Sequence, residues 1–203
     1  MKTTFVLPLL ACLAATSASA ASMTRSYSYF PISGLTLPEI ESQLRTRGPK
    51  LESTGMRHPG ATNLAFNTSV DYVERDGRCH VSDATVSVKA KVTLPRWRNR
   101  NRAKQEVRLV WDTLAKDIKR HEESHLSIAK NHARQLEDAI DGMRGTGPCA
   151  ALEKRVKAKV AEIMDRHDAA QARFDRIESI NFESRIMRLL RYRLEQIEAG
   201  RLK

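Results

Sequence analysis

The sequence predicts an α+β fold in which a small antiparallel sheet and a short helix precede a long antiparallel helix hairpin. Three observations predict it. Within a predicted sheet region at 24–94, residues 63–73 and 80–94 are rich in β-branched residues, and residues 101–141 and 149–199 carry apolar residues at spacings of three and four. The linker between the two helical segments is short and contains glycine, so we expect the helices to lie side by side and antiparallel.

The first twenty residues have the pattern of an export signal. Lys2 precedes an uncharged, mostly apolar run that ends in Ala18-Ser19-Ala20, which fits the small-residue rule for signal peptidase. The run is too short to span a membrane, and no later segment is long and uncharged enough to do so. A lipoprotein cleavage site ending at Cys12 is the alternative, although its apolar stretch would be unusually short. We therefore predict a signal peptide over 1–20 and a single periplasmic or secreted domain over 21–203.

The sheet region divides into four predicted elements. These are a strand at 25–32, a short helix at 34–47, and strands at 63–73 and 80–94. Asp76-Gly77 between the last two strands is a hairpin signal. In the second of them, valines at alternate positions predict a sheet with one buried face.

Two cysteines remain after the signal peptide is removed. Cys79 heads a predicted strand and Cys149 begins the second long helix. In an oxidising compartment a single disulfide between them is the natural pairing, and two unpaired buried thiols are the alternative. The bridge would tie the turn of the helix hairpin to the sheet.

Lysines and arginines give the chain a net charge of +11, which favours contact with anionic envelope surfaces in an exported protein. Arginines surround Trp97 within residues 95–108, a composition that also occurs in nucleic-acid contacts. Export argues against nucleic acid, and a solvated connection between the sheet and the first long helix is the simpler interpretation.

The segment 120-RHEESHLSIAKNH-132 lies on the first long helix. His121, Glu122 and His125 fill the pattern H-E-x-x-H, in which two histidines one helical turn apart hold zinc and the glutamate acts as the catalytic base. The apolar spacing of the helix passes through both histidines and His132, so we expect all three to face inward. His132 lies about 10 Å beyond His125 along an unbroken helix, too far to join the pair.

The third zinc ligand is expected from the second long helix. Antiparallel packing across a turn near residue 145 pairs His125 with about residue 165, which makes His167 the best candidate. A core histidine bonded to the first helix is an equally good interpretation of His167. Four acidic residues on the same helix are other candidates: Glu162, Asp165, Asp175 and Glu178.

Several short motifs occur here in a specific order: 31-PISGLT-36, 48-GP-49, Cys79, 94-LPRW-97, 120-RHEESH-125, Cys149 and 174-FD-175. In this order, over about residues 25 to 181, the chain resembles a family of exported bacterial proteins of unknown function described as predicted secreted zinc-dependent proteases. The resemblance implies a metallopeptidase with His121 and His125 as zinc ligands and Glu122 as base. The family's second-helix pattern has a histidine and a glycine where this chain has Ile180 and Asn181.

The sequence therefore predicts a zincin-type site that hydrolyses peptide bonds in a peptide or protein substrate. The alternative is a non-catalytic, degenerate member of the family. Its long basic helices would bind anionic envelope components or a partner.

Overall fold

The computed structural model describes residues 21–51 and 55–201, and the α+β class predicted from the sequence is confirmed. The elements are β1 (Ser22–Ile32), α1 (Leu37–Arg47), β2 (Ala61–Arg75), β3 (Arg78–Trp97), a 3₁₀ turn (Arg100–Arg102), α2 (Gln105–Ile140), α3 (Cys149–Ile180) and α4 (Phe182–Glu198). The export signal predicted over residues 1–20 lies outside the described residues. Among the helices that are described, none is long and apolar enough to cross a membrane.

The three strands form one sheet in the order β1-β3-β2. β2 and β3 form the predicted hairpin, and both turn residues, Asp76 (φ 54°) and Gly77 (φ 69°), have the positive φ that a type I′ turn requires. β1 pairs with β3 in parallel, so the expected antiparallel sheet is wrong for this pair. The physical reason is the chain path. After β1 the chain returns through α1 and β2, and the hairpin turn then brings β3 back along the direction of β1.

The sheet buries one face under the long helices. Alternate residues of β3, including Val86, Val88 and Val92, are almost completely buried, as their spacing predicts. Val86 and Val88 pack with Leu136 of α2 and Ile163 of α3 in the main hydrophobic core, and Val92 packs in an adjoining cluster with Ile118 and Leu126 of α2. The core therefore fixes both long helices against the same face of the sheet.

The basic segment after β3 packs against the body of the protein. Trp97 is buried, its indole N–H donates to the Gly34 carbonyl oxygen at 3.0 Å, and its ring lies 5.6 Å from that of Trp111. Arg100 forms two hydrogen bonds to the Asp112 carboxylate, of 2.8 and 2.6 Å. The tryptophan is thus a core residue, which leaves no aromatic side chain in this segment for stacking on a base.

The predicted disulfide joins Cys79 to Cys149, with the Cα atoms 4.9 Å apart. The loop between α2 and α3 runs along the start of β3. The Gly145 N–H donates to the Cys79 carbonyl at 2.7 Å and the Val81 N–H to the Met143 carbonyl at 2.9 Å. This loop follows the strand and does not turn tightly. Each residue of α2 therefore lies opposite a later residue of α3 than a tight turn near residue 145 would give. His125 consequently lies opposite Gln171, further along α3 than the predicted position near 165.

The second long helix, predicted to be continuous over 149–199, is interrupted at Asn181. The Asn181 side chain donates to the Ile177 carbonyl at 2.8 Å and ends α3. α4 then turns towards α2, where the Arg185 guanidinium bonds the buried Asp117 carboxylate at 3.0 Å. This ion pair, which the sequence pattern does not reveal, fixes the direction of α4.

Candidate metal centre

The HExxH segment lies in the middle of α2, where the helix crosses the sheet. The stripe of α2 that faces the sheet passes through Glu122, which is only 5% exposed. The apolar spacing of the sequence predicts that the histidines lie on this stripe, and that prediction is wrong. His121 and His125 lie on the adjoining flank, half-buried, and the Phe174 ring of α3 packs at about 5 Å from both imidazoles. The motif therefore presents its glutamate to the sheet and its two imidazoles to α3.

Three potential ligand atoms converge between α2 and α3. His121 Nε2 and His125 Nε2 are 3.2 Å apart, and Asp175 Oδ1 lies 3.3 Å from the first and 3.1 Å from the second. A tetrahedral zinc ion bound at about 2.0–2.1 Å separates neighbouring ligand atoms by about 3.3–3.4 Å. The three distances match one face of such a tetrahedron, so these residues fit a zinc ion. The two imidazoles and the carboxylate also form the only such group of potential metal ligands in the described part of the chain.

A second layer of side chains holds the far side of each imidazole. His125 Nδ1 donates to Gln171 Oε1 at 2.6 Å, and His121 Nδ1 lies 3.6 Å from Glu178 Oε2. Glu178 is itself paired with two arginines, Arg120 and Arg185. Partners of this kind set the tautomer and the orientation of histidines that bind metals.

The start of β2 holds the Glu122 side chain in place. Thr62 Oγ1 lies 2.8 Å from Glu122 Oε2 and donates its proton there or to the Glu122 carbonyl oxygen at 3.1 Å. A side-chain carbon at position 60 would lie only 2.6 Å from Glu122 Oε1, so any residue other than glycine there would clash with this oxygen. Burial raises the pKa of Glu122 above its ordinary value, and the Thr62 hydrogen bond opposes this only in part. A carboxylate with a raised pKa retains an abstracted proton more readily.

The charges of the three ligand groups are strongly linked. Partial burial raises the pKa of Asp175, but hydrogen bonds from His121 and His125 outweigh it and hold that pKa well below its usual value. Burial lowers the pKa of His125, yet the hydrogen bond to Asp175 reverses this and the pKa is raised. The carboxylate is therefore ionised across the physiological range and attracts positive charge to this point.

A cleft of about 830 Å³ opens beside these groups. It lies between α2, the residues that lead into β2 and the junction of α3 with α4. Six apolar residues contribute to its walls: Leu51, Pro59, Ala61, Leu64, Ile118 and Phe182. A polar centre on an apolar wall is typical of pockets that bind organic ligands.

The remaining histidines of the two long helices are close to the centre but do not join it. His167, predicted as the third ligand, is buried with Nε2 2.9 Å from the Gln171 side-chain nitrogen, and Asp175 occupies the position expected for it. His132 donates from Nδ1 to the Ile128 carbonyl at 2.9 Å, and its ring lies 5.5 Å from that of His167. It stays outside the ligand group, as its distance along the helix predicts.

Three residues of the site were not singled out by the sequence. Gly60 and Thr62 lie at the start of β2, and no local pattern associates them with a glutamate on α2. Gln171 follows His167 by four residues, which places both on one face of α3. That spacing is the signal by which Gln171 could have been found.

The chain was compared with known protein families, curated proteins and solved structures. Residues 27–182 match a family described as "Bacterial protein of unknown function (DUF922)". The chain belongs to this family. It matches no curated protein and no solved structure.

All the groups that converge at the centre lie within the DUF922 match, whereas almost the whole of α4 lies beyond it. Ile180 is 76% exposed at the end of α3. It occupies the position at which the family's second-helix pattern has a histidine. Its side chain is not part of the cleft wall. The departure at this position therefore leaves the group of three potential ligand atoms intact, because the third of these atoms belongs to Asp175.

Proposed function

We propose that the protein is an exported zinc-dependent metallopeptidase. The observation that carries the proposal is the triangle of His121 Nε2, His125 Nε2 and Asp175 Oδ1, with edges of 3.1 to 3.3 Å, beside a buried glutamate in the next position of the same helix. Two imidazoles and one carboxylate, with a further coordination position left for water, form the usual ligand set of a catalytic zinc.

Zinc bound there would supply Lewis acidity to polarise the substrate carbonyl and acidify water. Glu122 takes the proton of the attacking water on Oε1, since Oε2 is occupied by the Thr62 hydroxyl. The water oxygen bonds to the carbonyl carbon, the carbon–nitrogen bond breaks, and Glu122 returns its proton to the leaving amine. Thr62 keeps the carboxylate in one orientation throughout.

A polypeptide substrate is supported by the surroundings of the centre. β2 is an edge strand whose first residues contribute to the cleft wall, and an extended peptide can form main-chain hydrogen bonds to such an edge. Leu64 and Phe182 offer apolar surface to the side chains of that peptide. The size of the cleft is that of ordinary ligand pockets, roughly 300–1,000 Å³.

Export is supported by the A-x-A pattern at Ala18-Ser19-Ala20 and by the disulfide, because disulfides persist mainly in oxidising compartments. A periplasmic or secreted location follows if the signal is cleaved. Mass spectrometry of the mature chain purified from the envelope fraction tests this, with an N-terminus at Ala21 expected. A mature chain that retains residues 1–20 contradicts it.

The second candidate function is binding to anionic envelope components through the basic helices, and the net charge of +11 favours it. However, two arginines of α4 are already paired within the protein. Arg185 bonds Asp117, and Arg193 lies 3.2 Å from the Thr113 hydroxyl and 3.9 Å from Asp112. This use of the positive charges favours the metallopeptidase as the primary function.

Incubation with a mixture of unstructured peptides, followed by mass spectrometry of the products, tests the proposal. Wild-type protein is expected to cleave, a chelator to stop cleavage and added zinc to restore it. Glu122→Gln retains the shape of the side chain, so we expect it to bind zinc like the wild type and to lose hydrolysis by roughly 10²–10⁴-fold. Equal cleavage by Glu122→Gln would show that the glutamate is not the base.

A further inference from the structure

His167 is a buried side chain that the proposed reaction does not use. It is 5% exposed, and its ring packs edge-on against Phe66 with the centroids 4.9 Å apart. Both ring nitrogens have polar neighbours: Nδ1 lies 2.8 Å from Asp168 Oδ1, and Nε2 lies 2.9 Å from Gln171 Nε2. A buried imidazole with two such contacts is held in one orientation.

Gln171 connects His167 to the metal centre, and one contact fixes the orientation of its amide. The Gln171 nitrogen lies 3.2 Å from the His125 carbonyl oxygen, which can only accept a hydrogen bond. The group facing this carbonyl must therefore be the NH₂. The amide oxygen, on the other side, then faces His125 Nδ1 at 2.6 Å.

The protons of both histidines follow from this orientation. Because an amide oxygen only accepts, His125 Nδ1 must carry a proton and donate it. Because the Gln171 NH₂ only donates, His167 Nε2 must be an acceptor, and the proton of a neutral His167 lies on Nδ1. That proton is donated to the Asp168 carboxylate, so the chain of donors and acceptors is consistent from end to end.

We propose that Asp168, His167 and Gln171 form a positioning relay that holds His125 in its Nδ1–H tautomer. The lone pair of Nε2 then points to the place where His121 Nε2 and Asp175 Oδ1 also converge. The proposal rests on the proposed zinc function, and it assigns His167 to the support of a ligand and not to the ligand set itself.

The relay explains an arrangement that is otherwise unfavourable. In this tautomer His125 Nε2 is an acceptor, and it stands 3.1 Å from a carboxylate oxygen and 3.2 Å from a second imidazole nitrogen. Acceptors facing one another need a cation between them, either a proton on Nε2 or a metal ion. By removing the option of a neutral His125 that donates to Asp175, the relay leaves only a bound proton or a metal ion to satisfy this place.

Zinc affinity of the mature protein, measured by competition with a chromophoric chelator, tests the relay. Gln171→Leu removes both hydrogen-bonding groups, and His167→Phe keeps the ring packing on Phe66 while it removes the acceptor. We expect each to weaken zinc binding by about 10–100-fold, the usual effect of losing an outer-layer partner. His167→Gln, which returns an acceptor oxygen to the same position, is expected to recover most of the affinity.

His132→Phe is the matched control, because it makes the same exchange at a ring that packs against His167, while the hydrogen bond of His132 goes to the Ile128 carbonyl and not to Gln171. It keeps every hydrogen bond of the relay, so we expect it to bind zinc with an affinity close to that of the wild type. An equal loss in His132→Phe and His167→Phe would reduce the role of His167 to packing and overturn the relay. So would wild-type affinity in His167→Phe.

A measurement on the metal-free protein tests the relay independently of the proposed zinc function. Nitrogen-15 NMR of the metal-free protein at pH 8 is expected to show His167 neutral with its proton on Nδ1. A proton on Nε2 overturns the relay even if zinc binds normally. Failure of the wild type to bind zinc, together with the expected His167 tautomer, would instead overturn the metal function while the hydrogen-bonded chain stands.

Discussion

Gly60→Ala tests the placement of Glu122, the proposed catalytic base, without replacing any proposed ligand. An added methyl group would lie 2.6 Å from Glu122 Oε1 and 3.0 Å from its Cδ, whereas ordinary contact begins at 3.4 Å. The carboxylate must retreat by about 0.8 Å to reach that contact. Glu122 is buried and tied to Thr62, so this shift moves the base away from its working position. A misplacement of about 1 Å costs roughly 10²-fold in rate, and we expect kcat to fall by about 10–100-fold.

The assay is cleavage of the same peptide mixture by equal amounts of zinc-loaded protein. Zinc affinity should stay unchanged, because the three atoms nearest to an added carbon at Gly60 all belong to Glu122. Gly147→Ala is the matched control, since an added carbon there meets nothing within 4 Å. If Gly60→Ala cleaves as fast as Gly147→Ala, the assignment of Glu122 as a closely confined base is wrong.

Three further results are expected. Ile180→His, which introduces the histidine of the family pattern, should not tighten zinc binding, because position 180 faces solvent. A tenfold or greater gain in zinc affinity, measured by chelator competition, would contradict Asp175 as the third ligand. Zinc affinity should decrease as pH is lowered, since the imidazoles must lose their protons to bind the metal. Because the pKa of His125 is raised, the decrease in affinity should begin above about pH 6.5. Constant affinity between pH 8 and pH 6 would refute this. Replacing Cys79 and Cys149 by alanine should lower the free energy of unfolding by about 4 kcal/mol, given the sequence separation of 70; a loss below about 1 kcal/mol in urea unfolding would contradict it.

The sequence predicted the elements of the fold better than their arrangement. Asp76-Gly77 fixes a hairpin by local conformation alone, and alternating valines reveal the buried face of β3 because the strand period is two. The parallel pairing of β1 has no local signal, since it depends on where β3 is inserted. The direction of α4 after the break at Asn181 depends on the ion pair between Arg185 and Asp117, which are distant in sequence.

For the candidate site too, the sequence predicts local features better than contacts between elements. Helix geometry alone brings His121, Glu122 and His125 within about one turn, so the motif predicts that they lie together. The proposed third ligand depends on the register between α2 and α3, and that register is set by a loop that runs along β3. A crude antiparallel register favoured His167, although Asp175 was among the acidic alternatives and is the residue that meets the pair.

The most direct test of the central claim is the metal content of the purified mature protein under zinc-replete conditions. One zinc per chain is expected for the wild type, with loss of the metal in His121→Ala, His125→Ala and Asp175→Ala. Ile180→Ala should retain it, as a surface substitution on the same helix as Asp175. Absence of zinc from the wild type, or full retention in Asp175→Ala, would contradict a metal centre built on this triangle.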